Sequence, residues 1–434
     1  MTLTYTVEPG GVLKGRIRVP GDKSISHRSI MLASIAEGVT RVSGFLEGED
    51  AIATMNAFRA LGVRIEGPER GHVTVHGAGL HGLRRPSAAL DCGNAGTAMR
   101  LLAGLLAGQS FDCELTGDES LRRRPMKRIA EPLNRMGALI EAAEGGRPPL
   151  RVRGGRKLAG IDYAMPMASA QVKSALLLAG LYADGRTCVT EPAPTRDHTE
   201  RMLEAFGCKV QREGATVCVH GGVTLRATAI DVPADISSAA FFLVGAAIAP
   251  GSDLMLERVG INPTRTGVIE ILRRMGASID LVNERVAGAE PIADIRVRGA
   301  PLHGIEVPRE LVPLGIDEFP AVFVAAANAE GATVVTGAQE LRVKESDRIQ
   351  TMADGLHALG VQAEATPDGM RVTGGRYQGG RVASHGDHRV AMAFAVAGLR
   401  AASAVTVTDC ANVATSFPGF IELASAAGLK ITVK

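Results

Sequence analysis

R-M-G-A-L-I, Arg135 to Ile140, closes a helix-like stretch and opens a strand-like one. The run before it, P-M-K-R-I-A-E-P-L-N-R-M-G from Pro125 to Gly137, spaces its apolar residues as one face of a helix that starts at Pro125. Gly137 reads as the residue just past that helix, in the left-handed conformation that glycine alone adopts without strain. The phrase returns as A-L-G-V-R-I at Gly62, A-F-G-C-K-V at Gly207, R-M-G-A-S-I at Gly276, A-L-G-V-Q-A at Gly360 and A-G-L-K-I at Gly428. Successive glycines lie 68 to 84 residues apart. Self-similarity at so regular a period means six copies of one supersecondary unit.

A second series interleaves with the first: Ser26 to Glu37, Asn94 to Gly108, Ser169 to Tyr182, Ile236 to Ala249, Phe319 to Ala329 and His388 to Ala401. Beyond their first turns these runs are nearly all Ala, Leu, Val, Met and Phe. A helix apolar on every side belongs inside a core. Short alternating runs, such as H-V-T-V-H at His72 to His76, supply strands. Buried helices put the sheets outside. The expected fold is therefore α/β, two domains of three βαβαββ-like units each, an inside-out α/β barrel pair. The expected domains are 22–234 and 1–21 with 235–434, the first strands completing the second domain. Pro and Gly near 20–22 and 231–235 would make the two crossings a hinge.

Composition narrows the function. The 434 residues carry a net charge of +2, 3% aromatics and no Trp, which argues against nucleic acid as a partner. The six cysteines form no C-x-x-C pair and point to reduced thiols. The opening residues M-T-L-T-Y-T-V-E-P lack a basic stretch followed by an apolar one, so no signal peptide is expected, and the longest apolar run, Ala239 to Ala249, is too short to span a bilayer. The expectation is a soluble, cytoplasmic protein with no membrane partner. No P-loop, G-x-S-x-G, G-x-G-x-x-G or metal-spaced His/Cys set appears, so neither a cofactor nor a metal is expected.

The buried series carries its polar residues in its first turns: Lys23-Ser24, Asn94 to Thr97, Ser169-Ala170-Gln171, Asp235, Asp317-Glu318 and Asp387-His388-Arg389. Ordinary N-caps account for Ser, Asn and Asp there. They do not account for Lys23, Arg28 and Arg389, because a cation near a helix N-terminus costs about 0.3–1 kcal/mol unless an anion offsets it. If the units of a domain run parallel, these starts converge on one face, and two such faces would line one interdomain cleft. Lys344 and Arg348 in R-V-K-E-S-D-R are spaced to share a helix face, with Glu345 able to pair with Arg348. Arg122 to Arg124 and Arg196 add cations on loops. An Arg- and Lys-rich site with two or three carboxylates suits a reaction between small polyanions.

Ten motifs now stand in order from residue 20 to residue 420: P-G-D-K-S-I-S-H-R-S, G-N-A-G-T, R-R-P-M-K-R, S-A-Q-V-K-S, T-R-D-H-T-E, N-P-T-R-T-G, I-D-E-F-P, R-V-K-E-S-D-R, G-D-H-R-V-A-M and T-S-F-P-G-F. Together they resemble the EPSP synthase family, the 3-phosphoshikimate 1-carboxyvinyltransferases of the shikimate pathway, with S-A-Q-V-K-S and N-P-T-R-T-G closest to its class II branch. The resemblance implies transfer of the carboxyvinyl group of phosphoenolpyruvate to the 5-hydroxyl of shikimate 3-phosphate. It implies that Lys23, Ser24, Arg28, Ser169, Ala170, Gln171, Arg196, Asp317 and Lys344 contact shikimate 3-phosphate. Lys23, Asn94, Gly96, Arg124, Gln171, Arg348 and Arg389 would contact phosphoenolpyruvate. Asp317 would accept the proton of the attacking hydroxyl, and Lys23 or Glu345 would protonate the vinyl methylene beside Lys344. A monomer is implied.

The chain departs from the family's class I members at Thr415, where they carry Lys. Gly96, the family's usual residue, implies sensitivity to the inhibitor glyphosate. Two rivals remain. UDP-N-acetylglucosamine enolpyruvyl transferases share the repeat, but carry a reactive Cys, sometimes Asp, in the loop G-D-E-S-L-R-R-R-P-M, where this chain has no Cys. A non-catalytic polyanion-binding protein would use the same cationic helix starts.

Overall fold

All six recurrent glycines sit at positive φ, between +79° and +113°. Each ends its helix with the same pair of backbone bonds. At Gly137, its N–H donates to the Asn134 carbonyl and the Ala138 N–H donates to the Leu133 carbonyl, at 3.0 and 3.2 Å. At Gly276 the bonds run to Arg273 and Leu272, both at 2.9 Å. This double closure satisfies carbonyls that the helix end would otherwise leave unpaired. It terminates the six amphipathic helices Glu49–Ala60, Lys127–Arg135, His198–Ala205, Gly267–Arg274, Arg348–Ala358 and Phe420–Ala427.

The computed structural model describes residues 3–434, which divide into two compact units. One comprises the chain up to Pro20 with Pro233–Val286 and Glu290–Lys434; the other comprises Gly21–Val232 with Ala287–Ala289. Each unit has its own apolar core. In the Gly21–Val232 unit the core is built on helices Lys23–Ile35, Gly96–Ala107 and Ala170–Gly180; in the other, on Ile236–Ile248, Phe319–Ala327 and His388–Ala397. Every residue of Ile236–Ile248 is buried. Each core helix is wrapped on its outer side by sheet, and each unit has three sheets, the inside-out arrangement. Gly104 shows how closely the core helices approach: a Cβ there would lie 2.1 Å from the Ala175 carbonyl oxygen of the neighbouring core helix.

The second repeat shows the unit complete. Strand Leu90–Asp91 leads into core helix Gly96–Ala107, then strand Cys113–Thr116, helix Lys127–Arg135 and the hairpin Leu139–Ala143 with Arg147–Arg153. The lead strand pairs in parallel with Cys113–Thr116, and the hairpin completes the sheet antiparallel. Two repeats borrow their lead strand from far along the chain. Ala229–Asp231 pairs in parallel with Glu37–Ser43 of the first repeat, and Lys14–Ile17 pairs in parallel with Asp253–Gly260 of the fourth. Tyr5–Val7 lies antiparallel between Val405–Thr408 and Ile431–Val433, completing the last sheet.

Two local expectations need correction. The cysteines are not all thiols: Cys188 and Cys218 are register partners on adjacent antiparallel strands, with Cα atoms 4.1 Å apart, and form a disulfide. Their separation of 30 residues hides the pairing from a search for C-x-x-C. Pro125 does not open a helix either. Asp118 caps a short helix, Glu119–Arg122, by accepting from the Leu121 N–H, and the amphipathic helix begins at Lys127. Among the described residues no helix is long and apolar enough to cross a membrane.

Candidate active site

Within each unit, side-chain hydrogen bonds tie the starts of the three core helices together. In the Gly21–Val232 unit, Asp22 caps the first of them by accepting from the Ile25 N–H. Lys23 therefore stands in the first turn, where its Nζ lies 2.9 Å from Asp50 at the start of the amphipathic helix Glu49–Ala60. Arg28, one turn on, is 4% exposed. Its Nη1 donates to the Ser24 carbonyl at 3.0 Å, its Nε to Thr199 Oγ1 at 2.7 Å and its Nη2 to Ser174 Oγ at 2.9 Å. The cap of this helix is thus Asp22 and not a serine, and Arg28 is buried rather than solvated.

The second and third core helices meet through Gln171, which accepts from Arg100 Nη1 at 2.6 Å and donates to Thr97 Oγ1 at 2.9 Å. Ser169 caps the third, accepting from the Val172 N–H at 3.4 Å. Asn94 does not cap the second, whose cap is Ala95. Instead its amide donates to Asp118 and accepts from Arg124 Nη2, both at 2.7 Å. Arg124 is 7% exposed, while Arg122 and Arg123 lie at the surface, so only one member of the basic run turns inward. Gly96 sits under these arginines: a Cβ there would lie 2.9 Å from Arg100 Nη1 and 3.2 Å from Arg124 Nη1. Arg196 is half-buried, just ahead of helix His198–Ala205.

Arg348 organises the other unit. It is 1% exposed and reaches three carboxylates: Asp387 at 2.8 Å, Glu345 at 2.7 Å and Asp317 at 3.3 Å. Burial alone would lower its pKa, but Asp387, Glu345 and Asp317 more than reverse this and raise it, so the guanidinium stays charged. Lys344 Nζ also faces Asp317, at 3.4 Å. Lys344 and Arg348 nevertheless do not share a helix face. Asp347 accepts from the Gln350 N–H and starts the helix at Arg348, leaving Lys344 in extended backbone. The two cations converge on Asp317 from different elements. Arg389 Nη1 donates to the Asp317 backbone carbonyl at 3.3 Å and lies 3.9 Å from Glu318. Asp387 caps the last core helix and holds Arg348 at once, which the sequence pattern does not reveal. Thr415 is 4% exposed, its hydroxyl donating to the Asn412 carbonyl at 2.7 Å.

Sequence reasoning also misses Thr199, Ser174, Arg100 and Lys173. A usable signal is present for Arg100 and Lys173: each is a lone charge inside a helix otherwise apolar on every side. Such a charge must find a buried partner.

The EPSP synthase (3-phosphoshikimate 1-carboxyvinyltransferase) family model matches residues 7–423. The 3-phosphoshikimate 1-carboxyvinyltransferase of Alkalilimnicola ehrlichii is 67% identical over 431 residues, covering 99% of this chain and 97% of that protein. The solved EPSP synthase of Acinetobacter baumannii superposes with a TM-score of 0.90 at 58% identity, covering the whole of both chains. The enolpyruvyl transferase NikO of Streptomyces tendae, at 17% identity and a TM-score of 0.80, shares the fold. The chain belongs to the EPSP synthase family, and it transfers the carboxyvinyl group of phosphoenolpyruvate to the 5-hydroxyl of shikimate 3-phosphate, a step of the shikimate pathway.

Proposed function

We propose that the side chains at the helix starts divide this reaction between them, with Asp317 as the base that accepts the proton of the attacking 5-hydroxyl. Its exposure carries the assignment. The Asp317 side chain is 12% exposed, whereas Glu318 and Asp387 are 0% exposed, so of the three carboxylates at the starts of these core helices Asp317 is the one a substrate can reach. Lys344 beside it would lie against both substrates. Glu345, 17% exposed, and Lys23, 16% exposed, are the two candidates for delivering a proton to the vinyl methylene. Protonation makes the adjacent carbon electrophilic, the hydroxyl adds to it, and the tetrahedral adduct expels phosphate as a methyl proton is lost.

Shikimate 3-phosphate is assigned to Lys23, Ser24, Arg28, Ser169, Ala170, Gln171, Arg196, Asp317 and Lys344. Phosphoenolpyruvate is assigned to Lys23, Asn94, Gly96, Arg124, Gln171, Arg348 and Arg389. Arginine suits both carboxylate and phosphate, because its planar fork donates two parallel bonds. Arg28 and Arg124 are preorganised: the hydroxyls of Thr199 and Ser174 fix the first, and the Asn94 amide fixes the second. Asp317→Asn should lower kcat by about 10²–10⁴ while shikimate 3-phosphate still binds, the scale of a lost general base. Full turnover in that variant would refute the assignment.

Glyphosate, an anionic inhibitor, is expected to bind beside Gly96, where no side chain fills the space in front of Arg100 and Arg124. A titration showing no inhibition far above the phosphoenolpyruvate KM would overturn this. The enzyme is read as cytoplasmic and monomeric, and sedimentation at working concentration tests the second.

A further inference from the structure

Lys173 is the charged residue of S-A-Q-V-K-S, and no role in the reaction has been given to it. It lies on the first turn of core helix Ala170–Gly180, two residues after Gln171. It is 1% exposed. Its Nζ lies 2.8 Å from Glu191 and 2.7 Å from Glu200, and Glu200 is itself 0% exposed. Glu191 follows strand Arg186–Thr190 and accepts a hydrogen bond from the Thr195 hydroxyl. Glu200 lies on the first turn of helix His198–Ala205. Arg196 is the residue after Thr195 and stands two before that helix.

Lys173 therefore pins both ends of the segment that carries Arg196: the near end through Glu191 and Thr195, the far end through Glu200. The neighbouring residues form a second layer in register with the first. Ser174 Oγ accepts from Thr199 Oγ1 at 2.7 Å and from Arg28 at 2.9 Å. A fully buried ammonium between two carboxylates is expensive to assemble, and any removal of one partner leaves a buried charge uncompensated. The conformation of the 191–200 segment is thus tied to the helix whose N-terminal residues are assigned to shikimate 3-phosphate.

We infer that Lys173, with Glu191 and Glu200, is a positioning element that holds Arg196 where it meets the phosphate of shikimate 3-phosphate. It touches no substrate and acts only through the segment it anchors. This inference rests on the assignment of Arg196 to that phosphate, so the experiment tests the two separately.

The measurement is calorimetric titration of the full chain with shikimate 3-phosphate and with shikimate, which lacks the phosphate, for wild type, Arg196→Gln, Lys173→Met and Glu191→Ala. Lys173→Met strips two buried carboxylates of their cation and risks unfolding. Glu191→Ala leaves the Lys173–Glu200 pair intact and decides the matter if it does. The expected result is a loss of affinity for shikimate 3-phosphate of roughly tenfold or more in each variant, the scale of one lost charge-assisted hydrogen bond. Shikimate affinity and the phosphoenolpyruvate KM should stay within about twofold. Unchanged shikimate 3-phosphate affinity in Lys173→Met and Glu191→Ala, with Arg196→Gln impaired, overturns the positioning role alone. Equal losses for both ligands also overturn it, because the defect is then not at the phosphate. An unimpaired Arg196→Gln removes the assignment of Arg196 and the inference with it.

Discussion

Replacing the helix-ending glycines by alanine, one at a time, separates the cost of a backbone conformation from the cost of crowding. Every site forces the alanine into left-handed backbone, which costs about 1–2 kcal/mol for an L-residue. What the new Cβ meets differs. At Gly207 nothing lies within 4 Å. At Gly62 the nearest atoms belong to the Arg84 side chain, at 3.0 Å, which can swing away. At Gly137 the Cβ would lie 2.8 Å from the Lys157 backbone carbonyl oxygen. All three belong to the same unit, so their costs are read against one unfolding transition. Gly207→Ala and Gly62→Ala should each cost the conformational term alone. Gly137→Ala adds an overlap worth about 1–3 kcal/mol, because backbone rather than side chain must move. For a unit of this size about 1 kcal/mol shifts the midpoint by roughly 2–4 °C. Thermal unfolding followed by far-ultraviolet circular dichroism should therefore place Gly137→Ala roughly 2–12 °C below the other two. In the second unit, Gly428→Ala should be the more damaging of a pair with Gly276→Ala, since its Cβ would lie 2.2 Å from the Val12 carbonyl oxygen against 3.1 Å from that of Pro301. Equal losses at Gly207 and Gly137, or a reversed order, would show that the close approach does not set the cost.

Three other perturbations follow from the buried polar groups and the glycine that faces them. Arg348→Met leaves Asp387 buried without its cation and should cost about 3–5 kcal/mol, part of which Arg348→Met with Asp387→Asn restores; additive losses in urea unfolding would contradict the coupling. Burial pushes the His27 imidazole down to about 3, with Lys23 and Arg28 adding to the effect. The folded state therefore keeps His27 neutral while the unfolded chain binds a proton below about 6.5, so stability falls as pH drops through that window by about 1.4 kcal/mol per unit. His27→Asn should flatten the fall in melting temperature between about pH 6.5 and 5, and coincident slopes would sink the idea. Gly96→Ala should leave stability within about 1 kcal/mol, because flexible arginine tips can yield. The phosphoenolpyruvate KM should rise roughly tenfold with that of shikimate 3-phosphate unchanged, and steady-state kinetics with either substrate varied decides it.

The parts of the fold legible in the sequence are those governed by short-range rules. A helix that ends in a left-handed glycine needs only residues five apart, as the Ala138-to-Leu133 bond shows, so six such ends are enough to announce six repeats. A helix apolar all round has one physical destination, so the runs from Ala239 to Ala249 and from Phe319 to Ala329 placed the core. The polar residues left over at the helix starts were then the candidates for the site. Cations at positive helix ends named the chemistry as anionic, and the motif order named the family.

Tertiary structure decided which of those polar residues hold which. Arg28 meets Thr199 from 171 residues away and Ser174 from 146 away, distances over which a linear pattern carries no geometry. The same is true of the lead strand Ala229–Asp231, which closes the first repeat's sheet, and of Cys188 and Cys218, joined because strand register sets them opposite. Lys344 illustrates the limit most directly. Its spacing from Arg348 satisfied the helical rule, yet the Asp347 cap starts the helix only at Arg348, and Lys344 reaches Asp317 from extended backbone instead. Local preference fixes where a chain turns, but a charge that loses its water goes to whichever partner the packed core brings within reach.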